Sequence, residues 1–184
     1  MKPELEKKLF DEYPKLFVQK DLPMSQTCMC WGVDTGDGWY WLIDNLCDAI
    51  QKYCDSRNEG VVIRNKEKGR RWWQGYWYGS WQPWKKSFWR ALRNLWKRFR
   101  ERNLLEEEWQ IEAVQVKEKF GGLRFYISGG DDEVYGMISL AEHLSYKICE
   151  WCGTLKEVKV YSEGWTRTLC PNCNKNWKDG KRPE

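Results

Sequence analysis

Four cysteines in the last third of the chain, Cys149, Cys152, Cys170 and Cys173, form two Cys-x-x-Cys pairs with 17 residues between them. Two intervening residues let a tight turn aim both thiolates at one ion, about 2.3 Å from each sulfur for zinc, and a second turn completes a tetrahedron. Gly153 follows the first pair, where the backbone often needs a positive φ. Four thiolates leave no open coordination position, so the expected ion is a single structural Zn2+. Two disulfides or a rubredoxin-like iron would use the same cysteines. Val158, Val160, Trp165 and Leu169 around Ser162-Glu163-Gly164 predict a small hairpin between the pairs. So small a ribbon cannot fold on its own apolar burial, and zinc would supply about 10–16 kcal/mol of apparent binding energy.

Other residues could do chemistry, each with a blander role beside it. Asp34 and Asp37 in one glycine loop, and Asp131 and Asp132 in another, could converge on Mg2+ as a hydrolase site. Equally, each loop could cap a helix. Lys117, Lys119, Arg124 and Arg167 are candidates for an anion-binding face, or for a solvated strand. His143 is the only histidine and falls opposite the apolar face of its helix, so Ser-His or Cys-His catalysis has little support. Cys28, Cys30, Cys47 and Cys54 could hold a second metal, or be buried thiols.

The remaining chemistry lies in one segment. From Arg64 to Asn103 there are 13 Lys/Arg against two acids, a net of +11, so the rest carries −7 of a total of +4. Seven of the 14 Trp fall there too. Guanidinium and ammonium groups interleaved with indoles suit phosphates and bases. They also suit a membrane interface or a partner protein. Arg70, Arg71, Trp72, Trp73, Arg90, Arg93, Lys97 and Arg100 are the expected partner-binding residues.

The elements that must position these groups follow from periodicity. Residues 4–13 predict a short helix ended by Pro14. Trp39, Leu42, Ile43, Leu46, Ile50 and Tyr53 predict a second, with Asp37 as N-cap. Val61-Val62-Ile63 suggests a short strand, residues 70–84 loop-like pieces broken by Gly and Pro, and residues 87–102 a cationic amphipathic helix capped by Ser87. Residues 111–128 alternate as a β-hairpin, with Val114 and Val116 inward and Phe120-Gly121-Gly122 at the turn. A helix opened by Gly129-Gly130-Asp131-Asp132 runs to about Lys147, its apolar face including Met137, Leu144 and Ile148. The fold class is therefore α+β: a small antiparallel sheet packed with helices, a C-terminal four-cysteine zinc ribbon and a helical basic insertion. The expected boundaries are 1–63 with 104–148 for the body, 64–103 for the insertion and 149–184 for the ribbon and tail.

Length and hydrophobic content (41%) suffice for a core, and no run of 18 apolar residues spans a bilayer. The N-terminus, Met1-Lys2-Pro3-Glu4, lacks the apolar stretch of a signal peptide, so reduced thiols in a cytoplasm are expected.

Several strings together resemble a known group. Gly36-Asp37-Gly38-Trp39-Tyr40, Leu46-Cys47, Gln115-Val116-Lys117-Glu118-Lys119-Phe120-Gly121 with Leu123-Arg124-Phe125-Tyr126, Gly129-Gly130-Asp131, Gly164-Trp165 and Arg167-Thr168-Leu169-Cys170 are similar to motifs of a family of short, mostly uncharacterised phage and prophage proteins. The likeness covers roughly 13–63 and 111–173, and nothing transfers onto 64–108. In that family the last metal ligand can be His, where this chain has Cys173. The resemblance implies a phage origin, action in the cytoplasm of an infected or lysogenic bacterium, and an inhibitor of a host defence component. The function expected is thus non-catalytic binding of an anionic or macromolecular partner, a host protein or a nucleic acid or nucleotide. Nucleic-acid binding through the insertion, and the Mg2+-dependent hydrolase, are the alternatives.

Overall fold

The computed structural model describes residues 1–77 and 108–181, with side chains for 1–64 and 108–181. The chain divides into two compact units, Met1–Cys54 with Gln110–Glu184, and Asp55–Trp109.

The first unit is α+β. Helix α1 (Pro3–Glu12) starts on a proline whose missing N–H costs nothing at the first helical position. Glu4 and Glu6 sit in its first turn against the positive end of the helix dipole. It buries Leu9 in a core that also holds Leu16, Phe17, Trp39, Ile43 and Ile50. Trp39 is completely buried, and its indole N–H donates to the Ile148 carbonyl at 2.9 Å. Helix α2 (Tyr40–Trp77) follows, burying Leu42, Ile43, Leu46, Cys47, Ile50 and Cys54 at three- and four-residue steps.

Three strands form the sheet, β1 (Val33–Asp34), β2 (Glu112–Lys119) and β3 (Gly122–Ser128), in that spatial order. β2 and β3 are the expected antiparallel hairpin. β1 pairs parallel to β2, with Val33 opposite Val116 and Asp34 opposite Lys117, so the sheet is mixed rather than wholly antiparallel. A bulge between Ala113 and Gln115 shifts the alternation. Ala113 is therefore fully buried with Val116, and Val114, expected inward, is only half-buried.

Helix α3 (Asp132–Ser145) is capped by Asp131, whose Oδ1 accepts from the Val134 N–H at 3.3 Å. Its side chains also occupy edge donors of β3. The Leu123 N–H donates to Ser145 Oγ at 2.9 Å and the Phe125 N–H to Glu142 Oε1 at 3.1 Å, which blunts an open strand edge. The buried stripe is Val134, Ile138, Ala141 and Ser145; Leu144, expected on it, is exposed. His143 is exposed, as its position predicts. The last elements are the hairpin β4 (Lys159–Tyr161) and β5 (Arg167–Leu169) and helix α4 (Pro171–Lys178).

Two local expectations fail in α2. Val61-Val62-Ile63 is helical, because Val61 continues the buried stripe of Ile50, Cys54 and Asn58 at helical spacing, and that period overrides β propensity. Residues 70–77, expected as loop, are helical as well. In the second unit, Asn58 holds the Trp109 backbone at both ends: its Nδ2 donates to the carbonyl at 2.8 Å and its Oδ1 accepts from the N–H at 2.9 Å. The Arg57 guanidinium lies 4.3 Å from the Trp109 ring centroid. Residues 78–84 and the helix expected over 87–102 lie outside the described residues.

Replacing Trp39 by Phe keeps a ring but strands the buried Ile148 carbonyl. Trp39→Phe should destabilise the protein by about 1–3 kcal/mol, read as a lower urea midpoint at unchanged slope; an unchanged midpoint would show that the bond contributes nothing.

Candidate metal centre

The first cysteine pair sits on a turn that its own backbone closes. The Gly153 N–H donates to the Cys149 carbonyl and the Cys149 N–H to the Thr154 carbonyl, both at 2.9 Å. Gly153 has φ +73°, the left-handed conformation its position suggested. The second pair is carried by the junction of β5 and α4. Cys170 is the N-cap of α4, its Sγ accepting from the Cys173 N–H at 3.5 Å, and Pro171 takes the first helical position.

These two turns bring all four sulfurs within 4.8 Å of one another, and among the described residues this is the one group able to hold a metal ion. Cys152 Sγ and Cys170 Sγ are 3.8 Å apart, the edge of a tetrahedron whose metal–sulfur bonds are about 2.3 Å. That distance is far beyond a disulfide bond of about 2.05 Å. Cys149, Cys170 and Cys173 are buried and Cys152 is exposed. The hairpin between the pairs forms, with Lys159 opposite Leu169. Its core is mostly the site itself: Leu169 and three ligand cysteines, flanked by Trp151, Val158, Tyr161 and Trp177. Of the expected hairpin residues, Val160 and Trp165 face outward.

Burial pushes the Cys149 and Cys173 thiols up, whereas Cys170, also penalised by burial, is pulled below the usual thiol range by the Cys173 N–H and the neighbouring sulfurs. A cation on all four must therefore displace protons.

The glycine loop before α2 is the seat of this turn. The Gly38 N–H donates to the Glu150 carbonyl at 2.8 Å, and the Gly36 N–H to Glu150 Oε1 at 3.2 Å. A Cβ on Gly38 would overlap the Cys149 carbonyl oxygen and the Gly153 nitrogen; one on Gly36 would overlap the Glu150 carbonyl. The two glycines are there so that backbone can meet backbone. From the other side, the Glu150 N–H donates to the Thr168 carbonyl at 2.9 Å. Thr168 Oγ1 donates to the Gly121 carbonyl at the tip of the β2–β3 hairpin. Burial drives the Glu150 carboxyl up to about 7, against the opposing pull of Arg167.

The other candidates are dispersed. Asp131 caps α3 and accepts from the Tyr53 hydroxyl at 2.9 Å. Asp37 does not cap α2: Gly36 holds that position ahead of a short 3-10 turn, and Asp37 Oδ1 accepts from the Lys2 N–H at 2.7 Å. Asp34 and Asp132 are exposed. Of the anion-face candidates, Lys117 lies opposite Arg124 across β2 and β3, with its ammonium over the Tyr126 ring. Lys119 lies over Phe120. Arg124 pairs with Glu142 at 3.6 Å, and Arg167 with Glu150 at 3.8 Å, above the Trp177 ring. Cys47 and Cys54 are buried in the core, and Cys28 and Cys30 are half-buried in the loop before β1, Cys30 Sγ donating to the Thr27 carbonyl. Arg70, Arg71, Trp72 and Trp73 fall on the backbone of α2. Arg90, Arg93, Lys97 and Arg100 lie outside the described residues. Helix α4 and the seating role of Gly36 and Gly38 are absent from the sequence-based expectations; Pro directly after Cys170 and the Gly-Asp-Gly spacing are their signals.

No protein-family model matches the chain, and no curated protein or solved structure matches it. Among the described residues no helix is long and apolar enough to cross a membrane.

Two glycine variants test the seating. Gly38→Ala should cost about 2 kcal/mol or more through the backbone clash and weaken metal retention against a chelator. Gly136→Ala, mid-helix in α3 with open space around it, should instead stabilise by about 0.5–1 kcal/mol. Equal effects in thermal melts would refute the seat.

Proposed function

We propose that this is a non-catalytic, zinc-containing binding protein of phage type, which engages an anionic macromolecule through the segment Arg64–Asn103. The carrying observation is charge segregation: +11 and half the Trp residues in 40 positions, against −7 elsewhere. Such a segment attracts phosphates or acidic surfaces and offers indoles for stacking or burial. Arg70, Arg71, Trp72, Trp73, Arg90, Arg93, Lys97 and Arg100 are the contacts proposed.

The metal is proposed as Zn2+ in a structural role. Four thiolates in a tetrahedral cage suit zinc, and the closed donor set leaves no place for substrate. Fresh protein should carry one zinc per chain by elemental analysis. Cys149→Ser or Cys173→Ser should lose it and lower the melting temperature by more than ten degrees, as expected when roughly 10 kcal/mol of binding is removed. Iron in place of zinc, or oxidised thiols, would refute the assignment.

The motif resemblance supports a phage origin, action in the cytoplasm of an infected or lysogenic bacterium, and inhibition of a host defence component. The last part is testable by expressing the protein in bacteria that carry single defence systems: one challenged strain should regain phage plating, and deleting residues 70–102 should abolish the rescue. If the partner is nucleic acid, affinity for a short single strand should fall with log salt by about 0.7 per phosphate contacted. Salt-independent binding would exclude nucleic acid and leave an acidic protein surface.

A further inference from the structure

Beside the four-cysteine ribbon a cleft of about 580 Å³ opens between the loop at 34–37, the end of β2 and the ribbon itself. Three indoles line it, Trp151, Trp165 and Trp177, together with the carboxylates of Asp34, Glu118 and Glu150. It belongs wholly to the first compact unit and uses no residue of the cationic segment.

Its charge is lopsided. Four carboxylates, counting Asp37, face three cations, and each cation is engaged: Lys2 with Asp37 at 4.0 Å, Arg167 with Glu150 at 3.8 Å, and the Met1 ammonium with the Val33 carbonyl at 3.3 Å. An anion would meet repulsion here. Glu150 is only 4% exposed, yet its Oε2 accepts no hydrogen bond; Arg167 stands at ion-pair distance without donating to it. A buried carboxylate oxygen left so is costly, and it adds negative charge to the cleft wall from beneath the surface.

The aromatic wall points the same way. Trp165 is 65% exposed, an expensive position for an indole, and is held at the cleft by its N–H donating to Glu118 Oε2 at 3.4 Å. Trp177 already carries a guanidinium, that of Arg167, 5.7 Å from its ring centroid. Indole faces and carboxylates together suit a planar cation with several donors, and among side chains that is arginine.

We propose that this cleft binds an arginine side chain of a partner protein, its plane stacked on Trp165 and its N–H groups donating to the exposed Asp34 carboxylate. The proposal is independent of the one made for Arg64–Asn103, and stands or falls without it.

The test follows the indole N–H resonances of the full chain while adding acetyl-Gly-Arg-Gly-amide, or the same peptide with citrulline, lysine or glutamate in place of arginine. The arginine peptide should shift the Trp165, Trp151 and Trp177 signals saturably. Citrulline, which keeps the shape without the charge, should bind roughly ten-fold or more weakly, as loss of a charge-assisted hydrogen bond implies. Trp165→Ala and Asp34→Asn alter exposed side chains, so the other indole signals should report an intact fold while arginine binding falls several-fold. Equal binding of citrulline, lysine or glutamate peptides at these indoles, full binding by Trp165→Ala, or no saturable shift at all would each overturn the proposal.

Discussion

Four sulfur atoms within 4.8 Å of one another are the constraint around which the C-terminal third is arranged. The surrounding apolar groups are few: Leu169 fully buried, with Trp151, Val158, Tyr161 and Trp177 partly so. So small a cluster cannot outweigh the entropy of ordering some thirty residues, at about 1–2 kcal/mol each for the backbone alone. Four cysteines so placed could bind one metal ion, and its binding energy would make a fixed hairpin and a helix of eight residues reasonable there. The consequence reaches further than the ribbon, because the Cys149–Cys152 turn also supplies the carbonyls on which the Gly36–Gly38 loop rests. Through that loop the start of α2 and the burial of Trp39 depend on the same turn.

Residues of one short tract, 145–153, therefore link several layers. Ser145 occupies a backbone donor of β3, Ile148 accepts from the Trp39 indole, and Glu150 is bonded to the 36–38 loop on one side and to Thr168 on the other. The polar atoms here are buried in places where loss of one partner leaves another unsatisfied. Glu150 is the least comfortable of them, since burial raises its carboxyl to about 7 while Arg167 favours its charged form.

What can be read from the chain, and what cannot, divides along physical lines. The cysteine turns, the β2–β3 hairpin and the α3 cap are legible because each is local: fixed ligand spacing, strict alternation into Phe120-Gly121-Gly122, an Asp after two glycines. β1 is not, because two residues paired parallel to a strand more than eighty positions away carry no period of their own. The bulge at Ala113 shifts the inward set by one, which alternation alone cannot foresee. Helix α2 overruns its expected end since Val61-Val62-Ile63 has strand propensity but helical neighbours. At the centre itself the ligands are evident and the seat is not: Gly36 and Gly38 read as a turn, whereas they are narrow because another backbone lies against them.

The separation of these partners along the chain has a kinetic side. Trp39 waits for a carbonyl 109 residues downstream, and Gly36 for a carboxylate 114 downstream. Contacts of such long loops form late, since closure entropy precedes their reward. During synthesis the hydrophobic face of α2 therefore emerges well before the segment that covers it, and docking of the cysteine-bearing turn becomes the closing event of maturation rather than its nucleus. Pulse-labelled hydrogen exchange would register this as delayed protection of the Trp39 indole; protection ahead of the sheet would reverse the order.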